Sequence, residues 1–164
     1  MKKFELTSEF ITNIFGTKLF RIKALIEFGN VKAGELGGFV EKEENLSQDG
    51  NAWVYDNARV YGDACVCGNA WVYDNARVYG DACVCGDARV CGDAGYATVH
   101  GFGSEYRTTT FFKTKAGDIG VKCGCFYGNL SEFRKKVVET HGETKKAKEY
   151  LMLADLMEFR LTHK

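Results

Sequence analysis

The sequence predicts a mainly β protein with a helical C-terminal part, organised around a short β-solenoid. Two observations carry the solenoid. Residues 50–67 read GNAWVYDNARVYGDACVC, and residues 68–85 repeat them letter for letter. Each copy also divides into three six-residue units with an Ala-x-Val core: Ala52-Trp53-Val54, Ala58-Arg59-Val60 and Ala64-Cys65-Val66, then again from Ala70, Ala76 and Ala82. A period of six nested in eighteen means three short strands to a coil, with each residue stacked above its own copy. A third observation marks the helical part: beyond residue 129 the apolar residues recur at helical spacing. The chain of 164 residues is therefore read as an N-terminal β cap (1–49), a repeat region (50–103) and a C-terminal ββαα module (104–164).

Within the cap, residues 10–14 and 18–23 flank a turn at Gly16, the pattern of a hairpin. Phe28-Gly29-Asn30 and Gly34-Glu35-Leu36-Gly37-Gly38 punctuate a loop-rich passage. Phe39-Val40 reads as a first, imperfect solenoid strand, and Glu41-Lys42-Glu43-Glu44-Asn45 as a solvated loop. A cap is required because the open end of a coil exposes unpaired backbone and apolar rungs.

In the repeat, inward Ala and Val leave the residue between them, and the one after Val, facing out. The pairs Asp56-Asn57, Gly62-Asp63, Asp74-Asn75 and Gly80-Asp81 fall at corners, where left-handed backbone is tolerated. Adding eighteen then defines three outward ladders, with rungs about 4.8 Å apart. Trp53, Trp71 and Arg89 stack beside Tyr55, Tyr73 and Cys91; this is the foremost binding candidate, since exposed stacked aromatics need a cover. That cover is a second subunit, the protein's own cap, a flat ligand or a partner protein. Arg59 and Arg77 stack beside Tyr61 and Tyr79, either to hold a nucleotide or single strand, or as a solvated salt-bridge ladder with the corner aspartates. Cys65, Cys67, Cys83 and Cys85 form a rectangle of about 4.8 by about 7 Å. That spacing admits a soft metal or a disulfide, but the usual C-x-x-C of zinc sites is absent, and packing as small hydrophobes competes.

Past the repeat, Thr98-Val99-His100-Gly101-Phe102-Gly103-Ser104 leaves the last coil. Gly101 and Gly103 would let backbone approach a ligand, and Arg107 with Thr108, Thr109 and Thr110 would supply donors to phosphate or carboxylate. The competing reading is a sharp turn followed by a β-branched strand. Neither a Walker A motif nor G-x-G-x-x-G is present. Residues 108–113 and 119–127 read as a hairpin, in which Cys123-Gly124-Cys125 would place both sulfurs on one face. Asn129 and Glu132 mark a helix start; Leu130, Phe133, Val137 and Val138 make its apolar face, and Gly142 ends it. Thr144 caps a second helix whose face is Ala147, Tyr150, Leu151, Ala154, Met157 and Leu161. Leu153, Leu156 and Phe159 exceed what one buried stripe needs, which implies packing on two sides.

Charge excludes some functions. Lysines and arginines number 22 against 22 acidic residues; the repeat is mildly acidic and residues 98–164 mildly basic. A duplex-binding protein shows a clear basic stripe, so nucleic acid is not favoured as a partner. Seven cysteines, five of them in the repeat, do not make a disulfide framework. With no long apolar run for a signal peptide or a membrane span, the setting read from the sequence is reducing and cytoplasmic.

The hexapeptide pattern resembles the left-handed β-helix superfamily, best known for acyltransferases. The segment RIKALIEFGNVKAGELGGFVEKEENLSQDGNAWVYDNARV resembles more closely the YdcK-type hexapeptide-repeat proteins of bacteria and their phages. The tail, from GFGSEYRTTTFFK through CGCFYGNLSEF to THGETKKAKEY, is similar to a small C-terminal domain common in phage and prophage proteins. The left-handed winding comes from this resemblance, as does a trimer around the coil axis. The superfamily's enzymes imply an acetyl-CoA-dependent transferase, with a base, an extruded loop and a trimer groove. Here eight unbroken hexads give under three coils, and of His100, His141 and His163 only His100 sits where the last coil ends. The leading expectation is thus a non-enzymatic, oligomeric binding protein of phage or prophage type, without a cofactor. It would engage a host protein or a small anionic metabolite, and antagonism of a host defence system fits the resemblance and the size. The alternatives are an acyl-CoA transferase using His100 and a structural scaffold held together by Trp71.

Overall fold

A computed structural model describes residues 1–92, 95–102 and 108–162. The hexads form three short parallel ladders. On the first, β4 (Trp53–Val54), β7 (Trp71–Tyr73) and β10 (Arg89–Cys91) pair in register, Trp53 with Trp71 and Trp71 with Arg89. On the second, β5 (Arg59–Val60) pairs with β8 (Arg77–Val78), and on the third β6 (Cys65–Val66) pairs with β9 (Cys83–Val84). Every step is eighteen residues, as the repeat requires. Each hexad's Ala and Val are buried, from Ala52 and Val54 to Ala88 and Val90, and they make one continuous core.

The corners repeat every six residues with left-handed backbone: Gly50, Asp56, Gly62, Gly68, Asp74, Gly80, Gly86 and Gly92 all have φ between +54° and +73°. The column Gly50–Gly68–Gly86 is the tight one. A Cβ on Gly68 would lie 2.7 Å from the amide nitrogen of Gly86. Asp56 and Asp74 show that the next corner has room for a side chain.

The ladder has a direction. Trp53 N donates to Ala70 O at 3.0 Å, Arg59 N to Ala76 O at 2.9 Å and Cys65 N to Ala82 O at 2.9 Å. Amides of the outward residues therefore point to the following coil, and carbonyls of the inward alanines and valines to the preceding one. The first coil presents carbonyls, and donors from the N-terminal region meet them. The Lys3 ammonium donates to Ala52 O at 2.9 Å and Gly50 O at 3.4 Å, and buried Asn45 donates through Nδ2 to Ala64 O at 2.8 Å and Gly62 O at 3.2 Å. The far end presents amides, and there Cys83 N donates to Thr110 Oγ1 at 3.0 Å.

The N-terminal hairpin, β1 (Phe4–Thr12) and β2 (Lys18–Ala24), continues into β3 (Leu36–Val40), which runs parallel to β5. The second ladder thereby becomes a five-stranded sheet, β1-β2-β3-β5-β8. Phe39-Val40 do pair as a solenoid strand, but with Arg59 and Val60, twenty residues on rather than eighteen. Residues 43–45 form a 3-10 turn that places Asn45 in the core, where a solvated loop was expected. The expectation of an outward Trp53 is also corrected. Its ring is fully buried, edge-on to Phe4 (6.3 Å between centroids) and Phe28 (5.3 Å), because Gly37 lacks the Cβ that would strike it.

At the other end, β11 (Tyr96–Val99), β12 (Thr109–Lys113), β13 (Ile119–Cys123) and β14 (Phe126–Asn129) form an antiparallel sheet in that order. The single strand expected over 119–127 is two strands, turned at Gly124, where φ is +57°. Cys125 consequently sits exposed in the turn, not beside Cys123 on one face. Alternate side chains of β12 serve different cores: Phe112 joins the solenoid core, whereas Phe111 joins the core under the helices. Helix α1 (Leu130–His141) starts where Asn129 Oδ1 accepts from Glu132 N at 2.8 Å, and Gly142 ends it. Leu130, Phe133 and Val137 are buried; Val138, expected with them, lies a position too far round and is exposed. Helix α2 (Lys145–Thr162) buries Ala147, Tyr150, Leu153, Ala154, Met157 and Leu161 and leaves Met152, Leu156 and Phe159 exposed. Among the described residues, no helix is long and apolar enough to cross a membrane.

Candidate functional site

The aromatic ladder is largely closed by the chain itself. Above buried Trp53, Trp71 packs edge-on to Tyr55 at 5.4 Å, and the Arg89 guanidinium lies 4.0 Å over its ring. Burial, its largest influence, raises the Tyr55 hydroxyl pKa, and the same holds for Tyr73. Beyond them, Cys91 Sγ donates to Asp74 Oδ2 at 2.6 Å, which holds its proton on.

The Arg/Tyr ladder remains open. Tyr61 and Tyr79 stack face to face at 5.3 Å, and Tyr79 keeps 52% of its surface exposed. Beside it runs a groove of about 680 Å³ between the solenoid and α2, lined by Arg77, Tyr79, Tyr96, Thr98, Phe159 and Arg160, among others. Tyr96 fixes its floor by donating its hydroxyl to Arg77 O at 2.7 Å. Gly80, also lining the groove, has left-handed backbone and nothing within 4 Å of where a Cβ would be. Two arginines and a stacked tyrosine pair can hold an anion bearing a flat group.

The cysteine ladder lies under the C-terminal sheet. The sulfurs of Cys67, Cys83 and Cys85 lie within 4.8 Å of one another, and Cys65 neighbours Cys83 in the ladder register. The neighbouring thiols of Cys67 and Cys85 hold the Cys83 sulfur well below the ordinary thiol range, while Cys67, beside Cys65, Cys83 and Cys85, is raised. Cys65 is lowered, through its Cys67 neighbour. The Lys122 charge, from β13, also favours the Cys83 thiolate. Tyr127, from β14, fills the space where a Cβ on Gly86 would sit and stacks on Phe112 at 6.4 Å.

His100 is exposed, with Nδ1 2.9 Å from Thr108 Oγ1, and is not among the described residues lining the groove. Gly101 has a φ of +91° with open space around it. Gly103 and Arg107, both expected at a binding turn, and His163 lie outside the described residues. Sequence reasoning missed Arg160, Tyr96, Lys122 and Tyr127, because only tertiary packing brings them to the ladders. The apolar surplus of α2 signalled Leu156 and Phe159 at the groove's rim.

Comparison with known proteins agrees with the repeat. A family model described as the YdcK Beta solenoid repeat matches residues 52–68 and 70–86. The Escherichia coli (strain K12) protein named "Uncharacterized acetyltransferase YdcK" is 39% identical over 74 residues, covering 40% of this chain. The match spans 23% of that protein's length.

Proposed function

We propose that the chain is a binding protein whose groove beside the Arg/Tyr ladder takes a small anionic ligand with a flat group, such as a nucleotide. The convergence of Arg77, Tyr79 and Arg160 on one groove of about 680 Å³ is the observation that carries this reading. In this reading the three ladders close into a left-handed β-helix of about three coils, a rigid wall against which α2 forms the second side. Copies of the chain associate through the exposed stripe Met152, Leu156 and Phe159, whose spacing sets one apolar line along α2.

A second reading, acetyl transfer from acetyl-CoA, is favoured by the name of the E. coli relative. Both readings want an anionic ligand, and His100 is not among the described residues lining the groove, so binding and turnover must be measured separately. A thermal-shift panel of nucleotides, CoA and acetyl-CoA is the test. A ligand at a hundred times its Kd stabilises the fold by about 2.7 kcal/mol. That shift is expected in the wild type and absent in Arg160→Ala. Acetyl transfer to an amine or hydroxyl acceptor, lost in His100→Ala, would replace the binding reading by the enzymatic one. No shift with any of these ligands would remove both.

A further inference from the structure

The cysteine cluster stands apart from the groove and depends on none of that reading. We infer that Cys67, Cys83 and Cys85, with Cys65 as fourth donor, form a thiolate site for one soft d10 metal ion, zinc or copper(I). The sequence pattern alone argues against this, since C-x-C on a flat strand directs both sulfurs the same way without converging them. The fold supplies the convergence. Stacking at eighteen residues brings Cys83 and Cys85 beside Cys65 and Cys67, and three of the four sulfurs lie within 4.8 Å of one another. Four thiolates about 2.3 Å from a central zinc stand about 3.8 Å apart. For Cys67, Cys83 and Cys85, side-chain rotation moving each sulfur by less than about an ångström closes that difference.

The surroundings suit the chemistry. Cys85 is only 7% exposed and the other three sulfurs are half-buried, so the cluster lies at a seam rather than on open surface. Tyr127, stacked on Phe112, roofs that seam. The Lys122 ammonium, held by Gly124 O at 2.5 Å, brings a positive charge that offsets excess thiolate charge around a divalent or monovalent ion. Thiolate sulfur selects zinc, copper(I) or an iron–sulfur cluster over hard cations. Bound there, the metal joins two coils of the solenoid directly beneath the C-terminal sheet.

The test uses the whole chain, purified with reductant and stripped with a chelator. Titration with cobalt(II), a spectroscopic stand-in for zinc, is expected to give a thiolate-to-cobalt charge-transfer band saturating at about one equivalent, with zinc displacing it. Cys67→Ser and Cys85→Ser are expected to lose the band, whereas Cys91→Ser and Cys125→Ser retain it. Far-UV circular dichroism shows whether each variant is folded. Should Cys67→Ser fail to fold, zinc protection of the wild-type cysteines from alkylation, read by mass spectrometry, serves instead: four protected positions, 65, 67, 83 and 85, support the site. Binding below about a tenth of an equivalent, an unchanged band in folded Cys67→Ser, or a disulfide within the quartet under the same reductant would each overturn it. Titration of the apo protein with copper(I) beside zinc identifies which ion the donor set prefers.

Discussion

At Lys3, burial and function as a cap pull in different directions. Its ammonium satisfies two carbonyls at the solenoid's first coil, yet burial lowers its pKa from 10.5 to about 8, with Asp49 opposing the shift. Between about pH 8 and 10.5 the unfolded chain therefore holds a proton that the folded chain has released. Stability from this group rises with pH across that window and is flat below it. Urea unfolding at pH 7.5 and pH 10 should show this rise in the wild type relative to Lys3→Met; equal pH dependence in the two would contradict it. Trp53 makes a second residue-scale case. It was legible as a ladder residue, but its fate was not, because the rings that bury it come from Phe4 and Phe28, far away in sequence. Trp53→Ala is expected to cost about 3–5 kcal/mol, and Trp71→Ala, at a half-buried site, distinctly less; denaturant midpoints decide between them.

Among the elements, the hexad strands were readable from spacing alone because Ala-x-Val dictates which side chains face in. The cap strands were readable only in part. Nothing in residues 119–127 announces two strands except Gly124, and a single glycine inside an apolar run signals a bulge as readily as a turn. Corner glycines allow a sharper experiment. Gly68→Ala and Gly80→Ala impose the same left-handed backbone cost, about 1–2 kcal/mol. Only Gly68 adds a clash with the Gly86 backbone. Gly68→Ala should therefore be the more destabilising by about 1 kcal/mol or more, measured by chemical unfolding; equal losses would mean that the coils separate freely at that corner. Thr110→Val keeps the shape of β12 but leaves Cys83 N without its acceptor, for an expected loss of about 1–3 kcal/mol.

For the molecule as a whole, the two ends of the solenoid are chemically unlike, and each cap answers the end it meets: Lys3 and Asn45 with donors, Thr110 with an acceptor. The candidate sites were half visible in the sequence for the same reason. The ladders follow from the repeat, so Arg77, Tyr79 and the four cysteines could be grouped in advance. The opposite walls, α2 for the groove and β13–β14 for the cysteines, come from a cap whose docking is a tertiary event and leaves no period to read.

Identical copies have one more effect. Because residues 50–67 and 68–85 are the same, the caps meet the same letters whichever copy lies against them, and only their attachment to the chain counts the rungs. Copy number thus acts as a length dial. Removing residues 68–85 should leave a cooperatively folding protein with its caps about 4.8 Å nearer, and adding a third copy should move them apart by the same step. Such a chain can change size by one recombination event without redesigning a contact.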